Sequence, residues 1–219
     1  IRSMQRDKLI GRAMVMDCDV HHGNGTQDLF YNDPSVCFLS MHQFPFWPPN
    51  SGWYKDDGVG EGKGFNINVP LPEGTGDRGY LKAWDEIVNP ICSEYKPQLI
   101  MVSAGYDAHQ SDPLAMQNVS TSGFALMTQR VCELAKDADS KVVCFLEGGY
   151  NTRALAKSVL ATMNVLNSPK PERASASDVL MNTRTDLLLP VTEDNSPEAV
   201  DERVGEVRNY FAQYWRSLK

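Results

Sequence analysis

The sequence predicts an α/β fold with a mostly parallel sheet, and three observations carry that expectation. Apolar runs of strand length recur at Ala13–Met16, Leu99–Val102 and Val142–Leu146, unbroken as in strands covered on both faces. Stretches with apolar residues at helical spacing alternate with such runs, which is the βαβ pattern. Each run is followed by a carboxylate or by a Gly-Gly-Tyr turn, and open α/β sheets gather ligands at the carboxyl ends of their strands.

Taken in order, residues 10–18 read as a strand and 24–32 as a short helix entered through Gly-Asn-Gly-Thr. Residues 36–41 read as a second strand. Residues 43–64 form a loop rich in Gly, Pro and aromatics, among them Phe44, Phe46, Trp47, Trp53 and Tyr54. Loops of this length are usually functional or disordered; the aromatics fit a wall of a substrate mouth or local self-packing. Gly60-Glu-Gly-Lys-Gly64 precedes the strand Phe65–Val69 instead of joining a strand to a helix, so it is not a phosphate loop. Residues 77–95 predict a helix with Leu81, Trp84, Ile87, Val88 and Ile91 on one face. Pro97 then introduces a strand over 98–103. A helix over 121–137, capped by Thr121 or Ser122, a strand over 142–146 and a helix over 152–166 follow. Residues 168–196, rich in Pro, Ser, Thr and Asp, read as a linker. Residues 197–218 predict a last helix whose Val200, Val204, Val207, Phe211, Tyr214 and Leu218 alternate by four and three, a heptad seam. Docking on its own domain is the first reading of that seam and a dimer contact the second. The expected division is a core over 1–167, a linker over 168–196 and an amphipathic helix over 197–219.

The chemistry concentrates in Asp17-Cys-Asp-Val-His-His-Gly-Asn-Gly25. Strand alternation would project Asp17, Asp19 and His21 to one side, and zinc accepts oxygen from Asp and nitrogen from His. Asp107, after the run at 99–102 and Ser-Ala-Gly-Tyr, would complete an Asp-His-Asp set with a fourth position open, the catalytic arrangement. Tyr150, after Gly148 and Gly149, is either a hydrogen-bond donor to a developing oxyanion or a core tyrosine behind a tight turn.

These segments together resemble the zinc-dependent deacetylase family, which includes histone deacetylases, acetylpolyamine amidohydrolases and acetoin-utilisation-type proteins. The resemblance rests on DCDVHHGNGTQ (17–27), SAGYDAHQSDPL (103–114) and LEGGYN (146–151), with FLSMHQ (38–43) and GEGKGFNINVPLP (60–72) in support. It implies a three-layer arginase/deacetylase-like fold and hydrolysis of an N-acetyl amide on a lysine-like amine. It implies zinc on Asp19, His21 and Asp107, and Tyr150 polarising the substrate carbonyl. It implies a structural monovalent cation, potassium, at Asp17, Ser40 and Met41; Asp17 also fits a hydrogen-bond acceptor behind the ligands. Gly148, Gly149, Leu114 and Phe46 would line the acyl-lysine tunnel. The substrate would be an acetylated lysine peptide, an acetylpolyamine or another small acetyl-amide.

One departure from the family pattern stands out. The family's general base belongs to a tandem His-His pair upstream of the first motif, and residues 1–16 contain no histidine. The chain therefore reads as the C-terminal two-thirds of such a domain, expected to be incomplete without an N-terminal segment. A non-catalytic regulatory or interaction fragment that keeps the metal-binding fold is the alternative. A two-manganese arginase-like hydrolase would need a denser Asp/His cluster than SAGYDAHQSDP supplies.

Composition narrows the partners. The 219 residues carry a net charge of −7, which argues against a nucleic-acid surface and suits a cationic substrate. Five cysteines without metal-ligand spacing suggest free thiols in a reducing compartment, hence the cytoplasm. No apolar run is long enough to span a bilayer, so no membrane partner is expected. A homo-oligomer is admitted by the terminal seam.

Overall fold

The computed structural model describes residues 1–168 and 191–219. Five strands form one sheet in the order β3-β2-β1-β4-β5: β1 Ala13–Asp17, β2 Val36–Gln43, β3 Asn66–Leu71, β4 Leu99–Ala104 and β5 Lys141–Leu146. Every neighbouring pair is parallel, so all carboxyl ends lie on one side. Asp17 falls in register with Ser40 on β2 and Ser103 on β4. This is the expected α/β architecture, with strand limits shifted by a few residues.

The helices α1 Arg2–Arg6, α2 Asn24–Phe30, α3 Asp77–Ala83, α4 Asn89–Tyr95, α5 Thr121–Asp137, α6 Thr152–Leu166 and α7 Pro197–Phe211 divide unequally between the faces. The principal core joins Met14, Met16, Leu39, Ile67, Val69, Ile100 and Val102 to Trp84, Ile87, Ile91, Phe124 and Met127. The opposite face has a small cluster of Val15, Phe30, Val36 and Phe38, with Ile1 and Met101 at its margin.

Four expectations are corrected. The helix over 77–95 is two α-helices joined by a π turn, Trp84–Val88. Pro90 has no N–H for the bond to the residue four back, and the wider turn accommodates its loss. The cap of α5 is Ser120, whose hydroxyl oxygen accepts from Gly123 N at 3.1 Å. Of the expected linker, residues 169–190 lie outside the described residues, but 192–195 are packed. Asp194 Oδ1 accepts from Gly76 N (2.7 Å) and Gly79 N (3.0 Å) at the start of α3, and Thr192 N donates to Asp77 Oδ2 at 3.0 Å. The last helix ends at Phe211, not 218. Beyond it, Trp215 Nε1 donates to Gly64 O (3.0 Å) and Tyr214 Oη to Asp57 Oδ2 (2.7 Å), bonds that draw the chain off the helix axis. Val200, Val204, Val207 and Phe211 are buried in the principal core.

Candidate metal centre

The site lies where β1, β4 and β5 end. Asp17 closes β1, and Asp19 and His21 lie beyond the strand. Strand alternation therefore does not aim them, as the sequence suggested. Two side-chain-to-backbone turns do so instead. Asp17 Oδ1 accepts from Asp19 N at 3.1 Å, and Asp19 Oδ1 from His21 N at 2.9 Å. Asp107 comes from the segment after β4, and its Oδ1 accepts from Val20 N at 2.8 Å.

These turns bring one donor atom from each of Asp19, His21 and Asp107 within 4.8 Å of one another. His21 Nδ1–H donates to Asp19 Oδ1 (2.9 Å) and Asp107 Oδ2 (3.1 Å). Hydrogen bonds to Asp107 and then Asp19 push the imidazole up to about 10. Burial raises Asp107, while the bonds from His21 hold Asp19 low in spite of burial. Two carboxylates this close call for a cation between them. One nitrogen and two oxygens make a donor set that fits a borderline divalent ion such as zinc. Gly148 keeps the approach open: a Cβ there would lie 2.1 Å from Asp107 Oδ2 and 2.4 Å from Asp19 Oδ2.

The other expected site residues divide. Phe46 stacks on the His21 ring, with centroids 5.3 Å apart and planes 21° apart. Phe44, Trp53, Tyr54 and Tyr210 pack on one another instead, so these rings of the aromatic loop pack locally while Phe46 meets the cluster. Gly148 N donates to Asp19 Oδ2 at 3.0 Å. Gly149, at φ +136°, supplies the turn, and its missing side chain would meet Leu155 and Tyr106. Leu114 is exposed, and Tyr150 is half-exposed. Burial, then Asp107 and Asp19, raises the Tyr150 phenol, which keeps it a donor. Asp17 is pushed well up by burial. Ser40 and Met41 are buried beside it on β2.

The remaining histidines are engaged elsewhere. Gln27 Oε1 accepts from His22 Nε2 (3.1 Å), which leaves Nδ1 to accept from the Ser51 hydroxyl (2.6 Å). His42 Nε2 donates to Gly52 O (2.9 Å), and His109 Nδ1 accepts from Ser111 N (3.1 Å). Sequence reasoning missed Asp112, whose Oδ2 accepts from Tyr150 N at 2.7 Å. Its only signal was the carboxylate in SDPL, 38 residues before the tyrosine it serves.

Fold and site together define an α/β protein of the arginase/deacetylase-like kind with a three-residue donor cluster at its strand ends. The chain belongs to the histone deacetylase domain family, which its residues 1–166 match. A probable deacetylase of Archaeoglobus fulgidus is 35% identical over 209 residues, covering 95% of this chain and 57% of that protein. Histone deacetylase 10, chloroplastic, of Oryza sativa subsp. japonica is 44% identical over 162 residues, 74% of this chain and 36% of that protein. The crystal structure of the HDA15 HD domain superposes with a TM-score of 0.81 at 31% identity, covering 99% of this chain and 56% of that one. The chain thus spans a little over half the length of the archaeal relative and about a third of the rice one. Among the described residues, no helix is long and apolar enough to cross a membrane.

Proposed function

We propose that this chain carries the metal-binding and electrophilic part of a zinc-dependent amidohydrolase that removes acetyl groups from lysine-like amines. The observation that carries the reading is the convergence of Asp19, His21 and Asp107 beside the bare backbone of Gly148. Zinc held by these three would polarise the amide carbonyl and acidify a water. The Tyr150 hydroxyl, kept protonated, donates a hydrogen bond to the charge developing on the carbonyl oxygen. Phe46 covers the His21 ring and keeps bulk water from that side, and with Leu114 it offers apolar surface to a methylene stem. Gly148, next to the ligands, and Gly149, which shapes the turn, leave room for the acetyl end. The substrate class is an acetylated lysine peptide, an acetylpolyamine or a similar small acetyl-amide, in keeping with the charge of −7.

Potassium is the proposed occupant beside Asp17, with Ser40 and Met41. The support is a tautomer. His42 Nε2–H donates to Gly52 O, so Nδ1 accepts from the Ser40 hydroxyl at 2.9 Å. The lone pairs of Ser40 Oγ remain free on the strand that pairs with Asp17.

We infer that the proton acceptor is supplied by polypeptide other than residues 1–219, because His22, His42 and His109 are hydrogen-bonded away from the cluster. Residues 1–167 and 197–219 form one unit in this reading, and the five free thiols suit a reducing compartment such as the cytoplasm. The same lack of a base favours a second reading, a non-catalytic fragment that retains the metal.

The test is hydrolysis of an acetyl-lysine peptide and of an acetylpolyamine by the natural protein with zinc, compared with residues 1–219 alone. Activity in the natural protein, weak or absent in 1–219, is expected; general acid–base help is worth about a hundred- to ten-thousandfold. Tyr150→Phe should slow turnover about a hundred- to a thousandfold, the usual loss for one oxyanion donor, and leave zinc affinity unchanged. A natural protein that binds zinc and hydrolyses neither amide would favour the non-catalytic reading. Full activity in 1–219 would place the base within it.

A further inference from the structure

Tyr150 has little to aim it. It is 51% exposed, and it follows two glycines, the second at φ +136°. A Gly-Gly turn leaves the next residue free unless its backbone is held. Here it is held at both ends by carboxylates. Gly148 N donates to Asp19 Oδ2 at 3.0 Å. Past the turn, Asp112 Oδ2 accepts from Tyr150 N at 2.7 Å and from Asn151 N at 3.3 Å. The other oxygen, Oδ1, accepts from Leu114 N at 3.0 Å.

Asp112 is itself well fixed. It is buried, and its N donates to His109 O at 2.7 Å. His109 is locked by Ser111 N on Nδ1 and by its Nε2–H on Thr121 Oγ1 at 3.2 Å. A second link runs beside the carboxylate: Asn151 Nδ2 donates to Ser111 O at 2.8 Å, and Asn151 Oδ1 caps α6 through Arg153 N and Ala154 N. The segment that begins with the metal-ligand candidate Asp107 therefore grips the turn that carries Tyr150.

We propose that Asp112 is a positioning residue for Tyr150: its carboxylate fixes the backbone under the phenol relative to Asp107, and through Leu114 it sets the mouth from the same point. This rests on the reading of Tyr150 as the carbonyl-polarising donor. Charge-assisted bonds from backbone N–H groups are the strong kind, and a site held to within a fraction of an ångström depends on such supporting partners. Asp112 touches no reacting atom, so its removal acts through the phenol and leaves the metal cluster intact.

The experiment is a double-mutant cycle in the natural protein with zinc and an acetyl-lysine peptide. Asp112→Ala removes all three bonds, and Asp112→Asn, closest in shape, keeps part of them if the alanine variant fails to fold. Asp112→Asn should lower kcat about ten- to a hundredfold, with KM and zinc affinity each within about threefold. In a Tyr150→Phe background the same substitution should cost less than about twofold, because the hydroxyl it would misplace is gone. Equal losses in both backgrounds, a loss carried by KM, or a fall in zinc affinity would each overturn the proposal. If Tyr150→Phe alone changes nothing, the reading of Tyr150 has failed, and Asp112 is judged by amide hydrogen exchange of zinc-loaded 1–219. Exchange at Tyr150 and Asn151 should then speed up about tenfold or more in Asp112→Asn; unchanged exchange refutes the clamp.

Discussion

The two edges of the sheet are built to different standards. At the β3 edge every strand residue is buried, and α7 packs its Val200, Val204, Val207 and Phe211 into the same core. The aromatic loop beneath is pinned by Asp57, which accepts from Lys63 Nζ (2.7 Å), Tyr210 Oη (2.9 Å) and Tyr214 Oη (2.7 Å). At the β5 edge, Val143, Phe145 and Leu146 are 41%, 49% and 63% exposed, and Leu160, Met163 and Leu166 on α6 are exposed as well. Parallel strands of such composition are ordinarily covered on both faces. The metal-ligand candidates sit between the two edges, after β1 and β4, whereas Tyr150 follows β5. The centre that would hold the ion thus rests on the finished part of the molecule, and the phenol rests on the unfinished part. Carboxylates clamp the backbone on both sides: Asp17, Asp19 and Asp107 hold the Asp19–His21 turns, and the Tyr150 turn is tied back by Asp112, from the segment that follows β4.

The largest expected effect is at the junction. Asp107→Ala should abolish zinc retention, measured by metal content after dialysis against a weak chelator, because it removes one of three donors and the partner of Val20 N. Leu146→Ala, on the exposed edge, should leave retention unchanged. Equal loss in both would show that the metal centre depends on the β5 edge after all.

Stability should separate the edges next. Phe211 is fully buried, and Phe211→Ala should cost about 3–5 kcal/mol in urea unfolding. Phe145→Ala in the same chain should cost under about 1 kcal/mol, since half its surface already meets water. Comparable losses at the two positions would remove the distinction.

A pH dependence should belong to the finished side. Burial, then the neighbouring His22, lowers His42 to about 3, while an unfolded histidine titrates near 6.5. Between those values the unfolded chain binds a proton that the folded one refuses. The His42 contribution is therefore intact above about pH 6.5 and falls by up to about 1.4 kcal/mol per pH unit as pH drops toward 3. Asp17, raised by burial, works in the opposite sense, so the informative quantity is the difference between the wild type and His42→Gln. A difference that stays constant between pH 7 and pH 5 would mean that His42 takes up its proton without unfolding.

Much of this was readable from residues alone, for a physical reason. Parallel strands buried on both faces read as unbroken apolar runs, so 13–16, 99–102 and 142–146 announced themselves, and the ligand types followed two of them. What stayed hidden was whatever depends on bonds between a side chain and a distant backbone. Asp112 and Tyr150 are 38 residues apart, and a carboxylate that serves main-chain N–H groups leaves no complementary side chain to notice. The same holds for Asp194 at the start of α3. The turns at Asp17 and Asp19 put His21 where strand alternation also would, so the right residues were named for the wrong geometric reason. The early end of α7 could not be foreseen from Tyr214 and Leu218, which keep the heptad spacing while Trp215 and Tyr214 bond to Gly64 and Asp57.

The smallest expected effect on folding is also the most pointed test of the unfinished edge. Leu146 ends β5 and is the most exposed residue of the Val143, Phe145, Leu146 group. An open, apolar strand edge is a template for pairing with another chain, and lysine on such an edge opposes it. In residues 1–219, Leu146→Lys should change unfolding free energy by no more than about 0.5 kcal/mol, because the side chain already meets water. The same substitution should shift sedimentation of concentrated 1–219 toward the monomer, since it removes apolar surface that a second copy would cover. In the natural protein the outcome reverses if further polypeptide lies on β5. Lysine would then be buried without a partner, and stability should fall by several kcal/mol. Concentrated 1–219 that remains monomeric without the substitution, together with a natural protein indifferent to it, would show that this edge is finished as it stands.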